Sequence, residues 1–198
     1  MVEYAAMKTK PAMAALAAAV LLAGCIGAGP KAPCNWTLDW ERSAMPHAAA
    51  ADAAAPVVRI SSVTVRPPYD LQRLAVLRKD GSLAFDPRNS FAASPAQLMR
   101  GAVHDAFAAS GRFKRVLSGS SAAAASLSAE VSVTLLALDC RRDGQRDATV
   151  ELSLVFVEDR EVVFSSRGKG IAATPDGDYS AAFSRAFALA VQDALRGN

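Results

Sequence analysis

The sequence predicts one α/β domain of the α+β-like kind: a mixed, mostly antiparallel sheet with two amphipathic helices packed on it. Two long segments, 127–138 and 148–156, alternate apolar and polar residues with the period of a strand. Two others, 94–111 and 179–196, repeat apolar residues with the period of a helix. Asp143-Gly144 lies between the two strand-like segments and marks an antiparallel hairpin. No internal repeat is visible, so one core is expected.

Ahead of these elements stands a segment of a different kind. Ala12 to Ala23 is apolar and uncharged. At about a dozen residues it is too short for a bilayer, which takes ~20, but it suits the hydrophobic region of a secretory signal. Met7-Lys8-Thr9-Lys10 supplies the basic region before it, whereas Glu3 sits oddly in such a signal, so translation starts at Met1 or Met7. Leu22-Ala23-Gly24-Cys25 looks like a bacterial lipobox, an aliphatic residue and two small ones before a cysteine. The small residues let the backbone enter a peptidase groove. The Cys25 thiol would accept a diacylglycerol through a thioether, and cleavage would leave Cys25 as an acylated N-terminus carrying palmitate-like chains. Each buried methylene contributes about 0.8 kcal/mol, so two or three chains anchor stably where one does not. Ile26 follows, rather than the aspartate that commonly retains lipoproteins of Gram-negative bacteria in the inner membrane, which favours the periplasmic face of the outer membrane. The expected organisation is a signal peptide over 1–24, a lipid-anchored tether and linker over 25–56, and a folded domain over 57–198.

The elements follow in order. Trp36-Thr37-Leu38-Asp39-Trp40 alternates as a short strand, and the Ala-rich stretch Ser43 to Pro56 has no apolar stripe and reads as linker. Val57 to Val65 is a strand rich in β-branched residues, stopped by Pro67-Pro68. Leu74 to Arg78 and Leu83 to Phe85 are strands joined across Asp80-Gly81. Ser94 then caps a helix, with Pro95 at its first position and Gln97 completing a capping box. Its apolar face is Leu98, Ala102, Val103, Ala106 and Phe107, and Gly111 stops it. Phe113 to Leu117 is a short strand, followed by a loop of Gly, Ser and Ala to Ser126. In the next strand Leu127, Ala129, Val131, Val133 and Leu135 share a face, and Leu136 and Leu138 then switch sides, which suggests a bulge. Ala148 to Phe156 and Val162 to Ile171 complete a meander. The last helix, Tyr179 to Arg196, buries Tyr179, Phe183, Ala186, Phe187, Ala190, Val191, Ala194 and Leu195. Six or so strands are expected in all.

The net charge is +3, and about +2 once residues 1–24 with Lys8, Lys10 and Glu3 are removed. That balance, with scattered Lys and Arg, argues against nucleic acid. Cys34 and Cys140 remain beside Cys25, and in an oxidising periplasm they are either a disulfide or two independent thiols. The two histidines and the absence of C-x-x-C argue against a metal site. His47 lies in the linker, and His104 falls on the polar face of its helix, where the adjacent Asp105 should not face it. No nucleophile, base and acid come together in the pattern, and Gly168-Lys169-Gly170 lacks phosphate-loop spacing. No enzyme activity and no cofactor are expected.

The order of motifs resembles the ABC-type transport auxiliary lipoproteins, partners of MCE-type lipid transporters that include the Pqi-type (paraquat-inducible) systems. The lipobox at Cys25, the strand at Trp36-Thr37-Leu38, the linker, and a strand leading to Pro67-Pro68-Tyr69-Asp70 follow that family's order. So do Asn89-Ser90-Phe91-Ala92-Ala93-Ser94-Pro95, with Phe91 where the family often has Trp, and Ser110-Gly111-Arg112-Phe113. The resemblance implies a non-enzymatic outer-membrane lipoprotein that docks on a periplasmic MCE-domain protein and its permease/ATPase complex and supports lipid trafficking between membranes. It singles out Pro68, Tyr69, Asn89, Phe91 and Pro95 as partner-contact or motif residues, and Phe91 as a buried anchor of the first helix. It leaves the lipid, the direction of transport and homo-oligomerisation open. The alternative is another periplasmic lipoprotein module, a cell-wall synthase activator or a lipopolysaccharide-assembly partner.

Overall fold

The computed structural model describes residues 33–38, 51–119, 121, 123–142, 144–174 and 177–197. Cys25, His47 and the signal segment lie outside these residues. Eight strands form one mixed sheet: β1 (Cys34–Trp36), β2 (Val57–Val65), β3 (Arg73–Leu77), β4 (Leu83–Phe91), β5 (Arg115–Ser118), β6 (Leu127–Asp139), β7 (Asp147–Glu158) and β8 (Glu161–Ala173). Two helices, α1 (Pro95–Ala109) and α2 (Tyr179–Arg196), pack on it.

β6 is the axis of the sheet. One side of it pairs antiparallel with β7 along its whole length, and β8 adds to β7 in the same sense. The other side is shared: β2 runs parallel beside the first half, and the tip of β3 runs parallel beside Leu138 and Asp139. β2 carries β5 outward, while β3 carries β4 and then β1. The expected hairpin between β6 and β7 is present, as is the bulge, which falls between Val133 and Leu135. The extra residue, Thr134, keeps Leu136 and Leu138 on the same covered face as Val131 and Val133. Leu135 is turned instead to the row of Glu151, so it does not share the face of Val133 as the sequence pattern implied.

α1 begins as expected. The Ser94 hydroxyl accepts from the Gln97 amide, and the Gln97 side chain accepts from the Ser94 amide, so two otherwise unpaired donors are satisfied. Its fully buried residue in the first turns is Met99, not Leu98, because the stripe starts with Pro95 buried at the first helical position and Leu98 reaches only the rim of the core. α2 has the expected bounds, with an Asp178 cap and a left-handed Gly197 at its end. Phe107, Phe113 and Phe156 gather between α1 and the sheet with ring centroids 5.2 to 6.0 Å apart, and Phe164 adds to the edge of this cluster.

The contact of α2 with β8 explains Gly168 and Gly170. Both lie on the covered face, and a methyl group at either would overlap a helix carbonyl oxygen, that of Ala190 or Ala186 respectively. Ala186, Ala190 and Ala194 stand one turn apart on the facing stripe, so small residues on both sides let helix and strand backbones nearly touch. The Ser166 hydroxyl completes the seam by donating to the Ala194 carbonyl at 2.6 Å.

One expectation changes at the N-terminus, and one alternative narrows. The first strand is Cys34–Trp36 rather than 36–40, and it is a strand of the sheet, parallel to β4, although it lies within 25–56, the range expected to be tether and linker. Its short pairing is held by side chains: Trp36 Nε1 donates to Asn89 Oδ1 at 3.0 Å, the Trp36 ring meets Tyr179 edge-on, and Ser180 donates to the Thr37 carbonyl at 2.7 Å. The Cys34–Cys140 bridge is not formed. Cys140 is a free thiol at the end of β6, and β4 and β3 lie between that end and β1.

Candidate functional site: the open face of the sheet

Both helices cover one face of the sheet. Among the described residues no helix lies on the other face of β6, β7 and β8, and its composition is different. Strand register sets its side chains in rows: Thr64, Ser132, Ser153 and Arg167; then Leu135, Glu151 and Lys169; then Ala137, Thr149 and Ile171; then Asp139 and Asp147. Lys169 Nζ and Glu151 Oε1 pair at 2.8 Å across the face. The Thr134 hydroxyl donates to the Glu151 carbonyl at 3.2 Å.

This ion pair separates two crevices. One, of about 460 Å³, is bounded by Arg66, Thr134, Ser153, Arg167 and Asp193. Asp193 reaches over from α2 and accepts from the Lys169 amide at 3.0 Å, capping a backbone donor that the edge strand would otherwise leave open. The other, of about 370 Å³, lies toward the β6–β7 hairpin and is lined by Asp139, Arg141, Arg142, Asp147, Thr149 and Ile171 together with Lys169. There Arg141 binds Asp139 through both Nε and Nη2, the closest contact being 2.6 Å. Those hydrogen bonds hold the Asp139 carboxyl below its usual range and push Arg141 up.

The residues singled out from the sequence lie mostly elsewhere. Pro68 follows a cis peptide bond at an exposed corner, and Tyr69 packs against the core with its amide on the Arg66 carbonyl. Asn89 holds Trp36, Phe91 is 4 % exposed with its ring against Phe183, and Pro95 is buried at the start of α1. His104 and Asp105 do meet, at 3.2 Å, contrary to the expectation that helix neighbours do not face each other; the pair is solvent-exposed. Burial pushes the Cys140 thiol pKa up. Sequence reasoning missed the open face because its rows exist only once strand register is known.

The family model for the ABC-type transport auxiliary lipoprotein component matches residues 36–196, nearly all of the described chain. The chain belongs to that family. Family membership makes it an auxiliary lipoprotein component of an ABC-type transport system, a membrane-anchored role with no catalytic part implied. Cys25 lies outside both the matched range and the described residues. Among solved structures, the auxiliary lipoprotein is similar to a Xanthomonas campestris protein of family-model DUF330, with TM-score 0.61 and 20 % identity over 84 % of this chain and 91 % of that one. A crystal structure of an uncharacterized protein matches with TM-score 0.52 and 11 % identity over 72 % and 90 %. These likenesses concern the fold. None of the curated proteins searched matches.

Proposed function

We propose that this auxiliary lipoprotein is anchored through an acylated Cys25 in the outer membrane, facing the periplasm, and docks without turnover on a periplasmic MCE-domain protein whose permease and ATPase move lipid between membranes. The observation that carries the reading is the family match over 36–196, taken with the lipobox that precedes it. The open face supports it: a sheet face laddered with charged side chains, on which no helix lies among the described residues, is suited to binding a partner. Anchoring adds to this, since a tether turns docking into a locally concentrated event.

The test is lipid-barrier complementation in a deletion strain, with pull-down of the MCE-domain protein alongside. Cys25→Ser should abolish acylation and membrane attachment and impair complementation, and mass spectrometry should find cleavage before Cys25 in the native form. His104→Ala should complement fully. Full complementation by an unanchored form, or capture of a cell-wall synthase instead of the MCE-domain protein, would overturn the reading in favour of another periplasmic module.

A further inference from the structure

We infer that the crevice at the β6–β7 end of the open face is a binding site for a zwitterionic phosphodiester headgroup, a phosphate bearing an ammonium two carbons away. Three observations lead there. First, the crevice contains five charged side chains, and most are already matched: Arg141 with Asp139, and Lys169 with Glu151 of the neighbouring crevice. Among the described residues Arg142 and Asp147 have no hydrogen bond or ion pair from their side chains, Arg142 acting on Asp139 only at a distance, so one cation and one anion in the same space have donors and acceptors to spare. Second, Thr149 lies among them, 1 % exposed, and its hydroxyl has no partner. A buried hydroxyl without a partner is costly in a fold and calls for an explanation. A phosphate oxygen supplies the acceptor it lacks. Third, Ile171, the cross-strand neighbour of Thr149, is 48 % exposed beside this polar group and offers an apolar rim where an acyl or glycerol carbon would leave the site.

The leftover charges select the ligand. A simple anion would satisfy Arg142 and Thr149 and place its charge against Asp147. A simple amine would do the reverse against Arg142. A phosphate joined to an ammonium by a short linker satisfies both, with charge-assisted hydrogen bonds at each end. The inference goes beyond docking on a transporter and stands on the crevice alone, so each can fail without the other.

The experiment is titration of the full mature protein with glycerophosphoethanolamine, inorganic phosphate and lyso-phosphatidylethanolamine, followed by calorimetry and NMR of the hairpin amides. Glycerophosphoethanolamine is expected to bind and to shift the amides around Thr149 and Asp147. Arg142→Ala should weaken it about tenfold. Asp147→Asn should weaken it by a similar factor while leaving phosphate unweakened. Thr149→Val keeps the shape, should fold at least as stably, and should weaken binding a few-fold. Tighter binding of the lysolipid makes a membrane lipid the source of the headgroup, and equal binding makes it the free headgroup. No binding at millimolar concentration, binding indifferent to both Arg142→Ala and Asp147→Asn, or phosphate binding as well as the zwitterion would overturn the inference.

Discussion

The two faces of β7 and β8 are built from alternate residues of the same strands, yet they follow different rules. On the covered face Ala148, Val150, Leu152, Leu154 and Phe156 meet Ser166, Gly168, Gly170 and Ala172 under α2, and nearly every side chain there is buried. On the open face Thr149, Glu151 and Ser153 meet Arg167, Lys169 and Ile171, and only Thr149 is fully buried. Shape decides the first face, to the width of a methyl group at Gly168 and Gly170. Pairing of charges decides the second. Stability therefore resides on one side of the sheet, which leaves the other free to vary in chemistry.

The contrast can be broken most strongly from the covered side. Phe91→Ala removes a ring that is 4 % exposed and packed on Phe183, and should cost about 3–5 kcal/mol in denaturant titration. An unchanged melting temperature would mean that the ring is not part of the core. Gly170→Ala places a methyl against the Ala186 carbonyl and should cost roughly 1–3 kcal/mol, the usual range for overpacking, with α2 displaced in amide exchange. Ser94→Ala, which removes the capping box, should cost about 0.5–2 kcal/mol and fray the first turn of α1. Lys169→Ala on the open face, one residue from Gly170, should stay within about 0.5 kcal/mol, since the pair with Glu151 is half exposed. A cost equal to that of Gly170→Ala would erase the distinction between the faces.

The smallest effect is one of pH. Asp139 titrates below its usual value because Arg141 binds its carboxylate, so this contribution is fully present above the ordinary carboxylate range. It is lost as pH falls through the lowered value of the folded state. Asp139→Asn should therefore lower stability slightly at neutral pH, by no more than an exposed ion pair contributes, and leave it unchanged in strong acid, so that the acid limb of the stability profile flattens.

Much of the fold was legible in the sequence because local signals specify local structure. The Ser94–Gln97 box marked the start of α1, the stripe from Tyr179 to Leu195 marked α2, and the broken alternation at Leu135-Leu136 marked the bulge. What periodicity does not report is the partner of a strand. The parallel pairings of β2 with β5 and β6 have no turn to announce them, and β1 is too short to alternate. Gly168 and Gly170 were legible only as the absence of a phosphate loop, since their role depends on a helix arriving from farther along the chain. The candidate site was hidden for the same reason. Arg142, Asp147, Thr149 and Ile171 lie in separate stretches, and an alternating polar residue on a strand reads as solvent-facing until its neighbours across the sheet are known.

The stitching of β1 into the sheet also sets an order of events. Thr37 accepts a hydrogen bond from Ser180, 143 positions away, and Trp36 rests on Tyr179, so the seat that β4 offers the first strand is completed only when the last helix exists. In a chain that emerges N-terminus first, the contacts of Trp36 and Thr37 with residues 179 and 180 are therefore among the last to become available. One end of the chain thereby fastens the other, and loss of residues 179 and 180 would be felt at its first strand.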